Sequence, residues 1–508
     1  MPLGVTRIWD WILSRAVNTV KHDQTRLIAL AIVTGLAAAL ASSVFRELLG
    51  LFQWLAFQTT SEELIEFTAN LPWWQRLLAP AVGGLIVGYF IYKFVPGGRP
   101  VGVPQVMEDS ALHGANMSFN QGIRGALANA ATLGFGGSAG REGPVVHFGA
   151  TIGAKFARWA RLPREHSRTL LACGVAGAVA ASFNAPLAGV FFALEVVIGH
   201  YALAAFAPIV MASLVATITS RAIYGEFPAF VIPDYTTSYF EFPAFAMLGV
   251  AAALVAVAFL RLVPVVETQI GRLPIPTWTR PAVGGLGVGI IALIFPEVLG
   301  VGYGTTDGAL KGELSLLLLL GLLAAKTLAT ALTLGSGFGG GVFSPSLFLG
   351  AMLGGAFGVI AGNAIPQLLN LEEMTLFAGQ GAYSMVGMGA VAGAVLGAPM
   401  STILIIFELT GDYQLTMGVM LSTVVASVIT NNWHGLSYFR GVLARRGVDM
   451  EARVEHDLLK TERVDALMST AFSAVRLDTP LEDLRLYLQT APHNELFVVT
   501  EDERLFGT

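Results

Sequence analysis

Charge is what this chain has little of. Of its 508 residues only 13% are charged, against 54% hydrophobic, and the mean hydropathy is +0.65. That balance excludes a soluble globular domain of this size and fits a polytopic α-helical membrane protein. Cysteine is nearly absent: Cys173 stands alone in an apolar run, so no disulfide can form within the chain. There is no HExxH helix, no nucleotide loop and no nucleophile–base pair, which leaves a membrane enzyme little to work with. His113, His147 and His200 lack metal-ligand spacing. The expectation is therefore no enzyme activity, no cofactor, no metal and no nucleic acid partner. No cleavable signal peptide is visible either, because Arg7, Arg15, Lys21 and Arg26 precede the first apolar run at Leu27. Those cations argue for a cytoplasmic N-terminus.

The charge that is present is unevenly placed. Of 65 charged side chains, 22 fall between Arg440 and Thr508, which marks a soluble tail. Glu195 alone is charged between Thr169 and Ser220, and nothing is between Thr327 and Leu371. A run of cations, Lys155, Arg158, Arg161, Arg164 and Arg168, marks a loop expected to face the cytoplasm. The organisation reads as an amphipathic N-terminal segment (1–26), a membrane half (27–222), a polar connection (223–240), a second membrane half (241–447), a linker (448–463) and a soluble tail (464–508). Many apolar pieces are shorter than the roughly 20 residues a perpendicular span needs, so tilted, re-entrant and broken helices are expected. The tail reads as strand, amphipathic helix (Leu481, Leu484, Leu488), then strands near Leu496 and Leu505. At 45 residues it is marginal alone and is expected to belong to a longer domain.

The rest of the chain is organised around Gly134 to Ala154, GFGGSAGREGPVVHFGATIGA. Arg141 and Glu142 sit side by side there, flanked by Gly140 and Gly143. An ion pair inside a membrane costs several kcal/mol per ion unless partnered or hydrated. Pro144 reads as the first turn of a helix, and a helix N-terminus is an anion site. Read alone, the stretch is equally a solvated turn. Its recurrence decides: Gly337 to Gly355 reads GFGGGVFSPSLFLGAMLGG, with Pro144, Gly149 and Gly153 matched by Pro345, Gly350 and Gly354 at an offset of about 201. The leading GFGG matches at 203, leaving an apparent two-residue gap. Asn184-Ala185-Pro186 with Glu195 is likewise matched by Gly397-Ala398-Pro399 with Glu408. Such repeats in an apolar chain point to a transporter whose site lies between them.

Gly140-Arg-Glu-Gly-Pro144 and Gly341-Val-Phe-Ser-Pro345, at equivalent helix starts, resemble the CLC family of chloride channels and proton/chloride exchangers. The lead-in Gly335-Ser-Gly337 and the run Ala185 to Gly189 also fit, and the resemblance covers about 27–447. The tail, with Val464-Asp-Ala-Leu-Met468 and Leu496-Phe-Val-Val499, is similar to the first part of a CBS domain. The resemblance implies an all-α membrane protein of two inverted-topology repeats of tilted and broken helices, followed by a partial α/β cytoplasmic CBS-like segment. It also implies a homodimer with one anion path per subunit, in what looks like a bacterial inner membrane. Glu142 would be the gate, competing as an anion for the site and leaving when protonated. Arg141, Gly143, Val342 and Phe343 would bind the anion through backbone amides.

Three positions depart from the family pattern. Val101-Gly102 stands where the family has a serine that touches the anion, which puts the chloride-over-nitrate preference in doubt. The family's tyrosine on the last membrane helix falls on Phe439, with Tyr438 one residue away. The inner glutamate that passes protons in many exchangers is Val196 here; Glu195 beside it points about 100° away on a helix and is either a candidate for an inner proton path or, as its match with Glu408 favours, a buried carboxylate satisfied at a helix interface. Val at that position is what channel-type members carry. Intact GREGP and GVFSP argue against the fluoride-selective branch. Chloride and protons are the expected cargo, with bromide and nitrate as further anions and the lipid bilayer as surroundings. A passive channel is the alternative coupling mode, and a cation-coupled symporter of another inverted-repeat family is the remote one. Arg124 and Lys326 are weaker candidates, each either raising the inner potential or snorkelling at an interface.

Overall fold

The structure, a computed structural model, describes residues 23–60, 71–201, 203–225, 230, 239–369, 379–448, 473–490, 496–500, 502 and 504–507. Residues 1–22 of the expected N-terminal surface helix, most of the 223–240 connection, all but the first residue of the linker, and the start of the soluble tail lie outside these residues, while 23–26 belong to the first membrane helix. The chain divides into two units, Met1–Val448 and Asp449–Thr508.

The first half runs α1 (Asp23–Phe57), α2 (Trp73–Phe94), α3 (Val103–Leu112), α4 (Phe119–Gly134), α5 (Glu142–Trp159), α6 (Arg164–Phe183), α7 (Pro186–Phe192, continued by a π-wound turn at Ala193–Ile198) and α8 (Leu203–Tyr224). The second half repeats it as α9 (Phe242–Gly271), α10 (Arg280–Ala292), α11 (Tyr303–Leu310), α12 (Leu316–Gly335), α13 (Phe343–Leu369), α14 (Gln380–Leu396), α15 (Pro399–Thr410) and α16 (Tyr413–His434), and α17 (Tyr438–Arg445) follows. Among the described residues, seven segments are long and apolar enough to cross a membrane. By contrast α3, α4, α7, α11 and α15 have between 7 and 16 residues, too few for a perpendicular span, so their ends lie within the protein.

Glycine contacts show the two halves to be copies related by a pseudo-two-fold axis. A Cβ on Gly149 would fall 2.4 Å from the Gly174 carbonyl oxygen, and one on Gly350 2.3 Å from that of Gly387. Helices α5 and α6 therefore touch backbone to backbone, as do α13 and α14, the close approach that small residues permit in membranes. Helices α2 and α10 cross reciprocally: Gly84 abuts the Pro281 carbonyl and Gly285 the Pro80 carbonyl. Both helices carry the hexapeptide Pro-Ala-Val-Gly-Gly-Leu, at 80–85 and 281–286, a second exact repeat beyond the glycine-rich one.

The two-residue gap inferred from GFGG is not there. Helices α4 and α12 end at Gly134 and Gly335, and the next glycines, Gly136 and Gly337, both turn the chain through left-handed φ, at 89° and 96°. The offset is 201 throughout this segment, and the matched GFGG strings are a coincidence of a glycine-rich turn. Further on, Asn184 (φ 58°) and Gly397 (φ 65°) end α6 and α14 in the left-handed region. Asparagine and glycine are the residues that tolerate it, which explains the Asn/Gly exchange between the repeats.

In the second unit β1 (Ser473–Arg476) pairs in parallel with β2 (Leu496–Val499), and α18 (Leu481–Thr490) connects them. Strand β3 (Leu505–Gly507) adds antiparallel to β2. Leu484 packs with Val475 and Val498 between helix and sheet, the amphipathic spacing expected of that helix. The arrangement is compatible with the start of a CBS domain.

Candidate anion site

Gly140 and Gly341 occupy equivalent places in the two repeats and exchange both backbone hydrogen bonds, at 2.7 and 2.8 Å. This two-residue antiparallel bridge places the starts of α5 and α13 against each other. A Cβ on Gly341 would fall 2.9 Å from the Gly143 amide nitrogen, so a side chain is excluded where the two helix ends meet. Each helix contributes first-turn N–H groups with no intrahelical acceptor and a positive dipole end. Two such ends converging on one point favour an anion there.

Glu142 occupies that point. It is the first residue of α5, is 2% exposed, and caps the other repeat's helix: its Oε2 accepts from the Ser344 amide at 3.3 Å. Its Oε1 accepts from the Tyr303 hydroxyl at 2.6 Å and from the Ser344 hydroxyl at 2.5 Å. Three donors supply what a buried carboxylate requires. Arg141 is also buried, its guanidinium carbon 4.8 Å from the centre of the Tyr303 ring. Glu142 has no carboxylate counterpart, because the equivalent residue is Phe343, whose ring packs on Phe183 and Phe192. The symmetry is broken where the chemistry sits.

A cavity of about 720 Å³ reaches this point, lined by Val101, Gly102, Glu142, Gly143, Val342, Phe343, Tyr438 and Phe439 among others. These residues come from four widely separated stretches of sequence. The register of α17 is not an either-or: Phe439 is buried, Tyr438 is half-buried, both line the cavity, and their rings meet edge to face at 5.9 Å. Val101 lines the cavity too, with its Cγ2 packed over Gly125. Four arginines (Arg99, Arg280, Arg445, Arg446) against two glutamates (Glu142, Glu267) line the same space. That excess of positive charge suits an anion, and sequence reading missed all four.

The two cations chosen from sequence do other work. Lys326 is fully buried, not snorkelling, and donates to the Val298 and Gly300 carbonyls at 3.0 and 2.9 Å while facing the Phe348 ring. It pins the loop that leads into α11. Arg124 donates to the Phe94 carbonyl at the end of α2 and does not line the cavity. Neither Glu195 nor Val196 lines it either. The Glu195 carboxylate accepts from the Met400 and Ser401 amides at 3.1 and 2.8 Å, the start of α15. Glu408 accepts from the Leu187 and Ala188 amides at 2.8 Å each, the start of α7. The pair thus cross-caps equivalent helices, each carboxylate on the other repeat's helix end.

Inverted copies of one helical array, with broken helices converging on a buried carboxylate beside a basic cavity, define a membrane transport protein for anions. Residues 83–431 match the family model for voltage gated chloride channels. The chain is 33% identical over 431 residues to a putative chloride channel protein ClcB-like of Ralstonia nicotianae, covering 83% of this chain and 98% of that protein. It is 32% identical over 421 residues to the voltage-gated ClC-type chloride channel ClcB of Escherichia coli, covering 82% and 98%. A crystal structure of a slow cyanobacterial Cl⁻/H⁺ antiporter shares the fold, with a TM-score of 0.71 at 24% identity over 84% of this chain and 99% of that one. The chain belongs to the CLC family of chloride transport proteins. It is an integral multi-pass membrane protein and a transporter or channel, not an enzyme.

Proposed function

We propose that the chain exchanges chloride for protons across a bacterial inner membrane, with Glu142 as the gate that both cargoes use. The observation that carries this is the Glu142 carboxylate resting on the Ser344 amide at the start of α13. A carboxylate on a helix N-terminus holds the place of an anion. Protonation removes its charge, weakens its hold there and frees the site for chloride, so the two ions become linked. Arg141, Gly143, Val342 and Phe343 frame the site, and Val101, Gly102, Tyr438 and Phe439 line the inner approach. Neutral amides bind weakly enough for the ion to leave. Relatives named as chloride channels and a neighbour named as a Cl⁻/H⁺ antiporter are consistent with chloride as cargo. Without a serine at position 101, nitrate is expected to pass alongside chloride.

A further bond supports a cytoplasmic N-terminus. The Arg26 guanidinium donates to the Ala160 carbonyl at 2.8 Å, which ties the start of α1 to the basic α5–α6 loop. The two share a side, which the positive-inside rule favours as the cytoplasmic one. Two copies pair as the family resemblance implies.

A passive chloride channel is the second reading. It is favoured by Val196 at the inner position and by Glu195 being engaged with α15, which leaves no carboxylate from either on the cavity. Chloride-loaded liposomes separate the two. When a potassium ionophore releases chloride, exchange draws protons inward and the external pH rises with the flux. Flux with a flat pH trace would rule exchange out. Nitrate efflux comparable to chloride is expected in the same vesicles.

A further inference from the structure

We propose that Tyr303 and Ser344 are positioning residues for the gate, their two hydroxyls holding the ionised Glu142 carboxylate across the anion site and setting the acidity at which it lets go. This deepens, and rests on, the reading of Glu142 as the gate. Both hydroxyls donate to the same oxygen, Oε1, at 2.6 and 2.5 Å, and lie 3.3 Å from each other. All three residues are buried, Glu142 at 2%, Tyr303 at 8% and Ser344 at 3% exposure, a low-dielectric setting that strengthens the bonds.

Tyr303 is held from several sides. Gly302, at φ 93°, starts α11, a backbone turn that favours glycine. Lys326 pins the loop just before it through the Val298 and Gly300 carbonyls. The ring carries the Arg141 guanidinium 4.8 Å from its centre and takes the Phe230 ring at a right angle, at 5.2 Å. Such a ring presents its hydroxyl at a fixed point, and Ser344 on the first turn of α13 is no freer. Backbone amides alone would bind carboxylate and halide alike. A hydroxyl pair matched to one carboxylate oxygen favours the carboxylate, and it favours the ionised form over the neutral one.

The titratable groups on the elements around Glu142 are Arg141 at the N-cap of α5, His147, Lys155 and Arg158 along α5, Tyr303 and Asp307 on α11 and Lys326 on α12, while α13 supplies only the Ser344 hydroxyl and amide. Asp307 is paired with Lys311 at 2.6 Å, and replacing the hydroxyls leaves all of these charged groups and the histidine in place. Removing a donor makes the carboxylate easier to protonate, so the gate should yield at less acidic pH.

The test is chloride efflux from liposomes as a function of pH for Tyr303→Phe, Ser344→Ala and the double variant, with Glu142→Gln alongside. The midpoint of the flux–pH curve is expected to move upward by about 0.5–1 unit for each single variant and about 1–2 units for the pair. Tyr303→Phe keeps the ring against Arg141 and Phe230, so a packing role alone would leave the midpoint in place. Should that variant fail to elute as folded protein, Ser344→Ala carries the same test. A folded double variant with the wild-type midpoint would overturn the assignment if Glu142→Gln is flat with pH. A pH-dependent Glu142→Gln would instead remove the gate reading itself.

Discussion

Glu142→Gln should carry chloride at a rate that no longer responds to pH and should move no protons. The wild type should accelerate as acidity increases, approaching a plateau once the group is neutral. The sign follows from the geometry. The ionised side chain accepts from Tyr303, from Ser344 and from the Ser344 amide, and all three bonds weaken when it takes a proton. Glutamine has the shape of the neutral acid and keeps an oxygen for those donors, but it has no charge to lose. Stopped-flow or electrode records of chloride efflux, with external pH followed together, give both readouts. A variant that kept its pH slope would place the gate elsewhere.

The second large effect concerns Glu195 and Glu408, and it appears in stability. Each carboxylate satisfies two amides at the start of the opposite repeat's helix, and Glu195 also accepts from the Ser401 hydroxyl at 2.5 Å. Truncation to alanine leaves those donors unmatched in a low-dielectric interface and removes a charge that complements the helix dipole. Each such loss is expected to destabilise by about 2 kcal/mol. The double variant should lose about twice that, enough to lower the unfolding temperature in detergent markedly or prevent recovery of folded protein. Glu195→Gln, which retains one acceptor, should melt only slightly early and still exchange protons. Unchanged melting with abolished proton movement would instead make Glu195 a relay.

Much of this was legible in the sequence because the repeats preserve it. Glycines that face backbone, prolines that open helices and the lone charged pair at Arg141-Glu142 recur or stand out at fixed spacing, so the convergence of α5 and α13 was readable. The offset at GFGG misled because identical letters in a glycine-rich turn outweighed the helix ends, which the φ values of Gly136 and Gly337 locate. The repeated hexapeptide on α2 and α10 was there to be counted and was missed. Tyr303 and Ser344 lie 161 and 202 residues from Glu142, and no local pattern announces a hydroxyl that meets its acceptor only through the pseudo-two-fold fold. Lys326 fails for a related reason. A lysine in an apolar helix reads as snorkelling, and only the fold brings the carbonyls of Val298 and Gly300 to it.

The central claim is that two oppositely inserted helix ends form one anion site and that a carboxylate contests it. Crystals of wild-type protein and of Glu142→Gln soaked in bromide test it most directly, since anomalous scattering locates the halide without assumptions about coupling. The account predicts a peak beside the amides of Val342 and Phe343 that strengthens when the carboxylate is removed. No peak there in Glu142→Gln crystals, or equal peaks in both, would contradict it.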